Sequence, residues 1–164
     1  MSLQESTHIQ LLNNSDLHEF WLLFKELLES DFPGYTKETV RNFLNNLYNE
    51  INFKYYLSNN LKSILVAKKN NEIVAFAVID EPYGGVSLLR WLGVKKQFQK
   101  KGIGKQLVQA WFELARQQHA HKAEVAAQPE AKAFYTKAGL ELEGHRKKSY
   151  FGIDQYIFGK VLSE

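Results

Sequence analysis

The chain of 164 residues contains no cysteine. That absence excludes a disulfide framework, a cysteine–zinc site and a cysteine nucleophile, so any acyl transfer must be direct or use another nucleophile. Proline is scarce as well, with three residues against 45% hydrophobic and 13% aromatic content. This is a folded profile, and the length suits one domain over residues 1–164. No apolar run approaches the roughly 20 residues of a membrane span. The segment Met1-Ser2-Leu3-Gln4-Glu5 lacks the basic start and apolar run of a signal peptide. A cytoplasmic protein with no membrane partner is therefore expected. The net charge of +3 is too small to argue for nucleic acid, and no such partner is expected.

What is present is a local excess of charge. Lys95, Lys96, Lys100, Lys101 and Lys105 fall within eleven residues. Such a cluster is either a solvated face or an anion site, and periodicity decides which reading it suits. Thr7–Leu12 reads as a strand. Leu17, Phe20, Trp21, Phe24, Leu27 and Leu28 recur at helical spacing behind Ser15 or Asp16 as N-cap. Pro33-Gly34 stops that helix. Thr36 caps a second one, whose stripe runs from Val40 through Phe43, Leu44, Leu47 and Tyr48 to Ile51. Ser63–Lys68 and Ile73–Asp80 form a hairpin across Asn70-Asn71. Val86–Val94 is the central strand. A helix follows from Gly102, then a strand over Lys122–Ala127, a helix opened by Pro129, and two closing strands. The order β-α-α-β-β-β-α-β-α-β-β predicts an α/β (α+β) fold. Its sheet is mixed, mostly antiparallel, of about seven strands, with helices on both faces.

The lysine cluster lies where a strand ends and two glycines open a helix. Unpaired N–H groups at a helix start, with no Cβ in the way, are a recipe for holding phosphate. The nucleotide P-loop pattern fails at Gln99 and Gln106, and the dinucleotide Gly-x-Gly-x-x-Gly pattern fails at Leu107. Gln/Arg-x-x-Gly-x-Gly/Ala is matched in full by Gln99-Lys100-Lys101-Gly102-Ile103-Gly104.

Here the chain resembles the GNAT superfamily, the Gcn5-related N-acetyltransferases. Val94 stands five residues before the glutamine, as in that family. About 30 residues after Gln99, Gln128-Pro129-Glu130-Ala131-Lys132-Ala133-Phe134-Tyr135-Thr136-Lys137-Ala138-Gly139-Leu140 is similar to its Asn-x-x-Ala-x-x-Phe/Leu-Tyr-x-x-x-Gly-Phe segment. Gln128 and Leu140 depart from that pattern, and the stretch from Glu124 to Tyr135 is one residue shorter than in bacterial relatives. The resemblance runs from about Ile64 to Leu162.

It implies a GNAT-like domain that transfers an acetyl group from acetyl-CoA to an amine by direct attack, without a metal. The acceptor it allows is a small molecule or a peptide N-terminus, and a homodimer through the C-terminal strands or helices. By matching, Leu92, Gly93 and Val94 present backbone groups to the pantetheine arm. Gln99, Lys100, Lys101, Gly102, Ile103, Gly104 and Lys105 form the pyrophosphate loop, with Gln128 and Phe134 beside it. Tyr135 matches the general acid and Glu124 the general base, with Asp80, Glu81 or a water chain as alternatives for the base. Phe32–Tyr35, Glu81–Tyr83 and Tyr150-Phe151 are the segments expected around the acceptor, an aromatic and mildly acidic set. His119 and His121 lack a third ligand nearby, and Arg146, Lys147 and Lys148 read as a solvated strand edge. A non-catalytic acyl-CoA sensor of the same fold is the alternative function. It would have no need of Tyr135 and Glu124.

Overall fold

The computed structural model describes residues 6–162. Alternating, β-branched runs form β2 (Lys62–Lys69) and β3 (Glu72–Asp80), joined by a two-residue turn in which Asn70 and Asn71 both take positive φ (52° and 63°). That is the conformation an Asn-rich hairpin turn favours. With β1 (His8–Leu11), β4 (Val86–Val94), β5 (Lys122–Ala127), β6 (Glu141–Arg146) and β7 (Gln155–Val161) they build a seven-stranded sheet of order β1-β2-β3-β4-β5-β7-β6. Only β4 and β5 run parallel; every other neighbouring pair is antiparallel.

The period-two alternation of β2 and β3 sends side chains to two cores. Leu65, Ala67, Ala75, Ala77 and Ile79 meet α4 (Ile103–Gln117), whose Leu107, Val108, Trp111 and Phe112 are buried. There the indole of Trp111 donates to Ser87 Oγ at 2.9 Å, so the buried hydroxyl is satisfied. Ile64, Val66, Phe76 and Val78 face the other way, onto Phe20, Phe24, Leu27 and Leu28 of α1 (Leu17–Ser30). A short helix, α5 (Lys132–Lys137), precedes β6.

The N-terminal helical region departs from expectation. In place of one second helix, α2 (Lys37–Asn42) runs into a π turn at Phe43–Leu47, and a new helix, α3 (Glu50–Ser58), starts behind it. The Asn49 side chain caps that start by accepting from the Asn52 N–H at 2.8 Å. The wider turn rotates everything after Leu47, so Ile51, expected in the stripe, is 80% exposed while Phe53 is fully buried. Asp16 does stand at the start of α1, but its carboxylate is bonded to Lys68 Nζ at 2.6 Å and caps nothing.

Candidate active site

The parallel pairing of β4 with β5 stops at Leu89 opposite Val125. On its other side β4 slips register against β3: Trp91 lies opposite Val78 and Leu89 opposite Ile79, which leaves Arg90 as the extra residue of a bulge. A bulge bends the strand that carries it, and β4 turns away from β5. Lys95 N–H bonds back to Val74 O at 2.8 Å. Backbone polar groups of an antiparallel strand alternate between its two sides. Gly93 therefore turns toward β3, while the N–H groups of Leu92 and Val94 face the gap. The Val94 carbonyl there accepts from Gln99 Nε2 at 2.9 Å. Gly93 serves by lacking a side chain, because a Cβ would stand 2.7 Å from the Phe76 ring and 2.8 Å from Leu27 Cδ1.

After β4 the chain makes a tight loop with Lys100 and Gly102 in the left-handed region (φ 59° and 84°). No side chain caps α4, and the first N–H to bond back is Gln106, to Gly102 O at 3.0 Å. The N–H groups of Ile103, Gly104 and Lys105 stay free for an anion, in the field of the helix dipole. Side chains of Lys100, Lys101 and Lys105 are exposed around them. Gln99 is otherwise employed: besides Val94 O, its amide donates to Asp31 Oδ2 at 3.2 Å and ties the loop to the end of α1. Gly104 lies against Phe134, whose ring would be 3.0 Å from an added Cβ.

The gap and the loop open into one cavity of about 720 Å³. Tyr135, on α5, forms part of its wall; it is 6% exposed, and while its carbonyl accepts from Leu140 N–H at 3.1 Å, its hydroxyl makes no hydrogen bond among the described residues. Burial pushes its phenol well above the ordinary tyrosine pKa, so it is held protonated. Gln128 also lines the cavity, with Nε2 buried and unpartnered by other described residues.

At the opposite end the wall is aromatic. Trp91 projects from the bulge to the α1 side, with Phe32, Tyr35 and Phe43 around its ring at centroid distances of 5.4, 5.9 and 5.6 Å. Phe151, in the left-handed region at φ 61°, folds back from the β6–β7 loop onto Phe43 at 4.7 Å. Burial raises the pKa of Tyr35, against the smaller opposing pull of the Gln128 amide and the Arg90 charge. Arg90 reaches the wall while its Nε and Nη2 donate to Asp80 Oδ2 at 3.1 and 2.5 Å, and Lys62 Nζ holds the other Asp80 oxygen. Burial alone would raise the Asp80 carboxyl, but these bonds outweigh it and hold it below the ordinary carboxylate range.

Leu92, Val94, Gln99, Lys100, Gly102, Gly104, Lys105, Gln128, Phe134 and Tyr135 are thus brought to one cavity. Glu124 is not on its wall. It sits on the strand face of Ala126, which is, and its carboxylate is turned to Lys122 Nζ at 3.4 Å. Glu81 and Tyr83 are also away from the cavity, with Tyr83 90% exposed. Of the expected aromatic and mildly acidic set, Phe32, Pro33 and Tyr35 line that end, and Arg90 brings a guanidinium there where Glu81 was expected. His119 takes φ 61° just past α4 and closes it with Ala120 N–H on Ala115 O, a helix stop, while the ring of His121 lies against Gly85. Sequence reasoning missed Arg90 and Trp91. The available signal was a lone charge within Leu88-Leu89-Arg90-Trp91-Leu92, an otherwise apolar strand.

Residues 21–140 match the model of the acetyltransferase (GNAT) family. No curated protein is significantly similar in sequence. Among solved structures, the PaiA N-acetyltransferase of Thermoplasma acidophilum, in complex with coenzyme A, is similar with a TM-score of 0.78 and 18% identity. The match covers 95% of this chain and 99% of that one. The ribosomal-protein-alanine N-acetyltransferase of Brucella melitensis is similar with a TM-score of 0.76 and 22% identity, over 94% and 99% of the two chains. A probable acetyltransferase of Staphylococcus epidermidis gives 0.75 and 22%, over 96% and 100%.

Proposed function

The chain belongs to the GNAT acetyltransferase family, and from that premise we propose that it moves an acetyl group from acetyl-CoA to a primary amine by direct attack. The observation that carries this reading is the gap between β4 and β5. It offers unpaired N–H groups at Leu92 and Val94, an uncapped α4 start at one end and a protonated phenol on its wall.

The pyrophosphate of acetyl-CoA fits the free N–H groups of Ile103 to Lys105, with Lys100, Lys101 and Lys105 adding charge. Glycine at 104 lets that group approach, and the free edge of β4 takes the amide-bearing arm as an added strand would. Leu92 and Val94 N–H groups are preorganised donors for the negative charge that grows on the thioester carbonyl oxygen. As the amine nitrogen bonds to the carbonyl carbon, the C–S bond breaks and Tyr135 gives its proton to the sulfur. Positioned proton transfer of this kind is worth roughly 10²–10⁴-fold. The proton lost by the amine passes through solvent at the cavity mouth to Glu124, on the same face of β5 as the wall residue Ala126. The phenolate regains a proton from solvent, and the products are an N-acetyl amine and the free thiol. Thiol release followed against a panel of amines tests the reading. Saturable, acceptor-dependent release is expected. Tight acetyl-CoA binding with no release above slow hydrolysis for any amine would instead favour a sensor.

A further inference from the structure

Within that transferase reading, we propose that the acceptor is an amine bearing a carboxylate, an amino acid with an apolar or aromatic side chain, and that Arg90 is its anion anchor. Arg90 is the one charged side chain that the strands contribute to the cavity wall among the described residues. Its Nε and one Nη2 hydrogen are committed to a single Asp80 oxygen, which leaves Nη1 and the rest of the fork free. Asp80 is shared with Lys62, so the trio of two cations and one carboxylate carries a net charge of +1. A ligand carboxylate neutralises it; a second ammonium adds to it.

The other groups at that end point the same way. Trp91 Nε1 and Gln128 Nε2 are buried donors without a well-formed hydrogen bond among the described residues, the first beside the Tyr48 hydroxyl and the second beside that of Tyr35 on the cavity wall. Tyr35 and Tyr48, the titratable neighbours of Arg90 from the helical face, are held protonated by burial. Two carboxylates also line the cavity away from the strands: Asp31 at the end of α1, whose Oδ2 accepts from Gln99 Nε2, and Glu130, exposed on the turn before α5. On the strand side of that end the guanidinium is therefore the charged group a ligand meets. Two residues, about 7 Å of strand, separate Arg90 from Leu92, a span that an α-carboxylate and a guanidinium bridge together. The edges of Phe32, Tyr35 and Trp91 supply the apolar contact for a side chain. The same positive charge disfavours the ammonium form of the acceptor, and the neutral amine is the one that attacks.

The test uses the whole protein loaded with CoA and calorimetric titration with paired products: N-acetyl-leucine, N-acetyl-methionine and N-acetyl-phenylalanine, each against its C-terminal amide. The acid is expected to bind about 10- to 100-fold tighter than the amide in at least one pair, the range of a charge-assisted hydrogen bond. In Arg90→Gln that ratio is expected to fall to about one while the CoA affinity stays the same. The ratio of kcat/KM for the free amino acids over their amides follows the same pattern. Equal affinity of acid and amide, no binding of either, or an undiminished ratio in Arg90→Gln overturns the anchor and leaves the transferase reading in place. Failure of CoA itself to bind overturns the transferase reading, and the anchor with it.

Discussion

Replacing Tyr135 by phenylalanine removes one oxygen atom from the cavity wall and leaves the ring packed on Phe134 and Phe158. The hydroxyl makes no hydrogen bond among the described residues, so its loss orphans no partner, and stability should change by no more than about 0.5 kcal/mol. Turnover should fall by roughly 10²–10⁴-fold, about 3–5 kcal/mol of barrier at about 1.36 kcal/mol per decade. The assay is saturating thiol release, read beside a thermal melt and a calorimetric acetyl-CoA titration, both expected to match the parent protein. The pH dependence adds a second readout. Burial raises the phenol's pKa, so no rate is lost to its ionisation below about pH 10, the ordinary tyrosine value. Above that, the unfolded chain sheds this proton while the folded one keeps it. The unfolded state then binds fewer protons, and stability falls as pH rises. Tyr135→Phe removes that contribution, so the two proteins diverge in stability only on the alkaline side. A variant that keeps its turnover within about threefold would refute the assignment of Tyr135 as the acid.

Three further outcomes follow from the geometry. Gly93→Ala places a methyl 2.7 Å from the Phe76 ring and 2.8 Å from Leu27 Cδ1. Both neighbours are buried, so overpacking should cost about 1–3 kcal/mol and roughly 3–10 °C in Tm by calorimetry. An unchanged melt would show that the strand relaxes freely. Asp80→Asn leaves Lys62 and Arg90 facing an uncharged amide. With the site partly solvated, we expect a loss of about 1 kcal/mol at neutral pH. Because the Asp80 carboxyl is held below its ordinary value, its contribution is present above about pH 4 and lost as pH falls through the folded value. Denaturant melts of the two proteins should therefore converge in acid, and a constant gap down to pH 2 would contradict the pairing. Glu124→Gln should lower kcat about 10²-fold near neutral pH without altering acetyl-CoA affinity, and unchanged kcat would remove it from the proton path.

Much of this protein was legible before any coordinates. The hairpin at Asn70-Asn71 and the helix behind Gly102 follow from local chemistry, since turn residues and apolar periodicity act over a few positions. The phosphate loop was readable for the same reason. Its free N–H groups, left-handed Lys100 and Gly102 and missing cap are all contained in eight consecutive residues. The second helix was misread because each local preference, the apolar stripe up to Ile51, was satisfied by one long helix. Asn49 capping a new start and the packing of Phe53 into the core outweighed it.

The sequence by itself determined the strands and their order, the helices at α1, α4 and α5, the anion loop, and a tyrosine placed after it. Tertiary structure decided where β4 parts from β5, because a bulge depends on the register of two strands and not on either alone. It also decided the character of the acceptor end. Lys62, Asp80 and Arg90 come from three strands, and Phe32, Phe43 and Phe151 from three separate segments. Their packing around Trp91 and Tyr35 kept the aromatic part of the expected mouth and replaced its acidic part with a guanidinium. Side chains so far apart in sequence acquire a common field only when the sheet and its helices have packed.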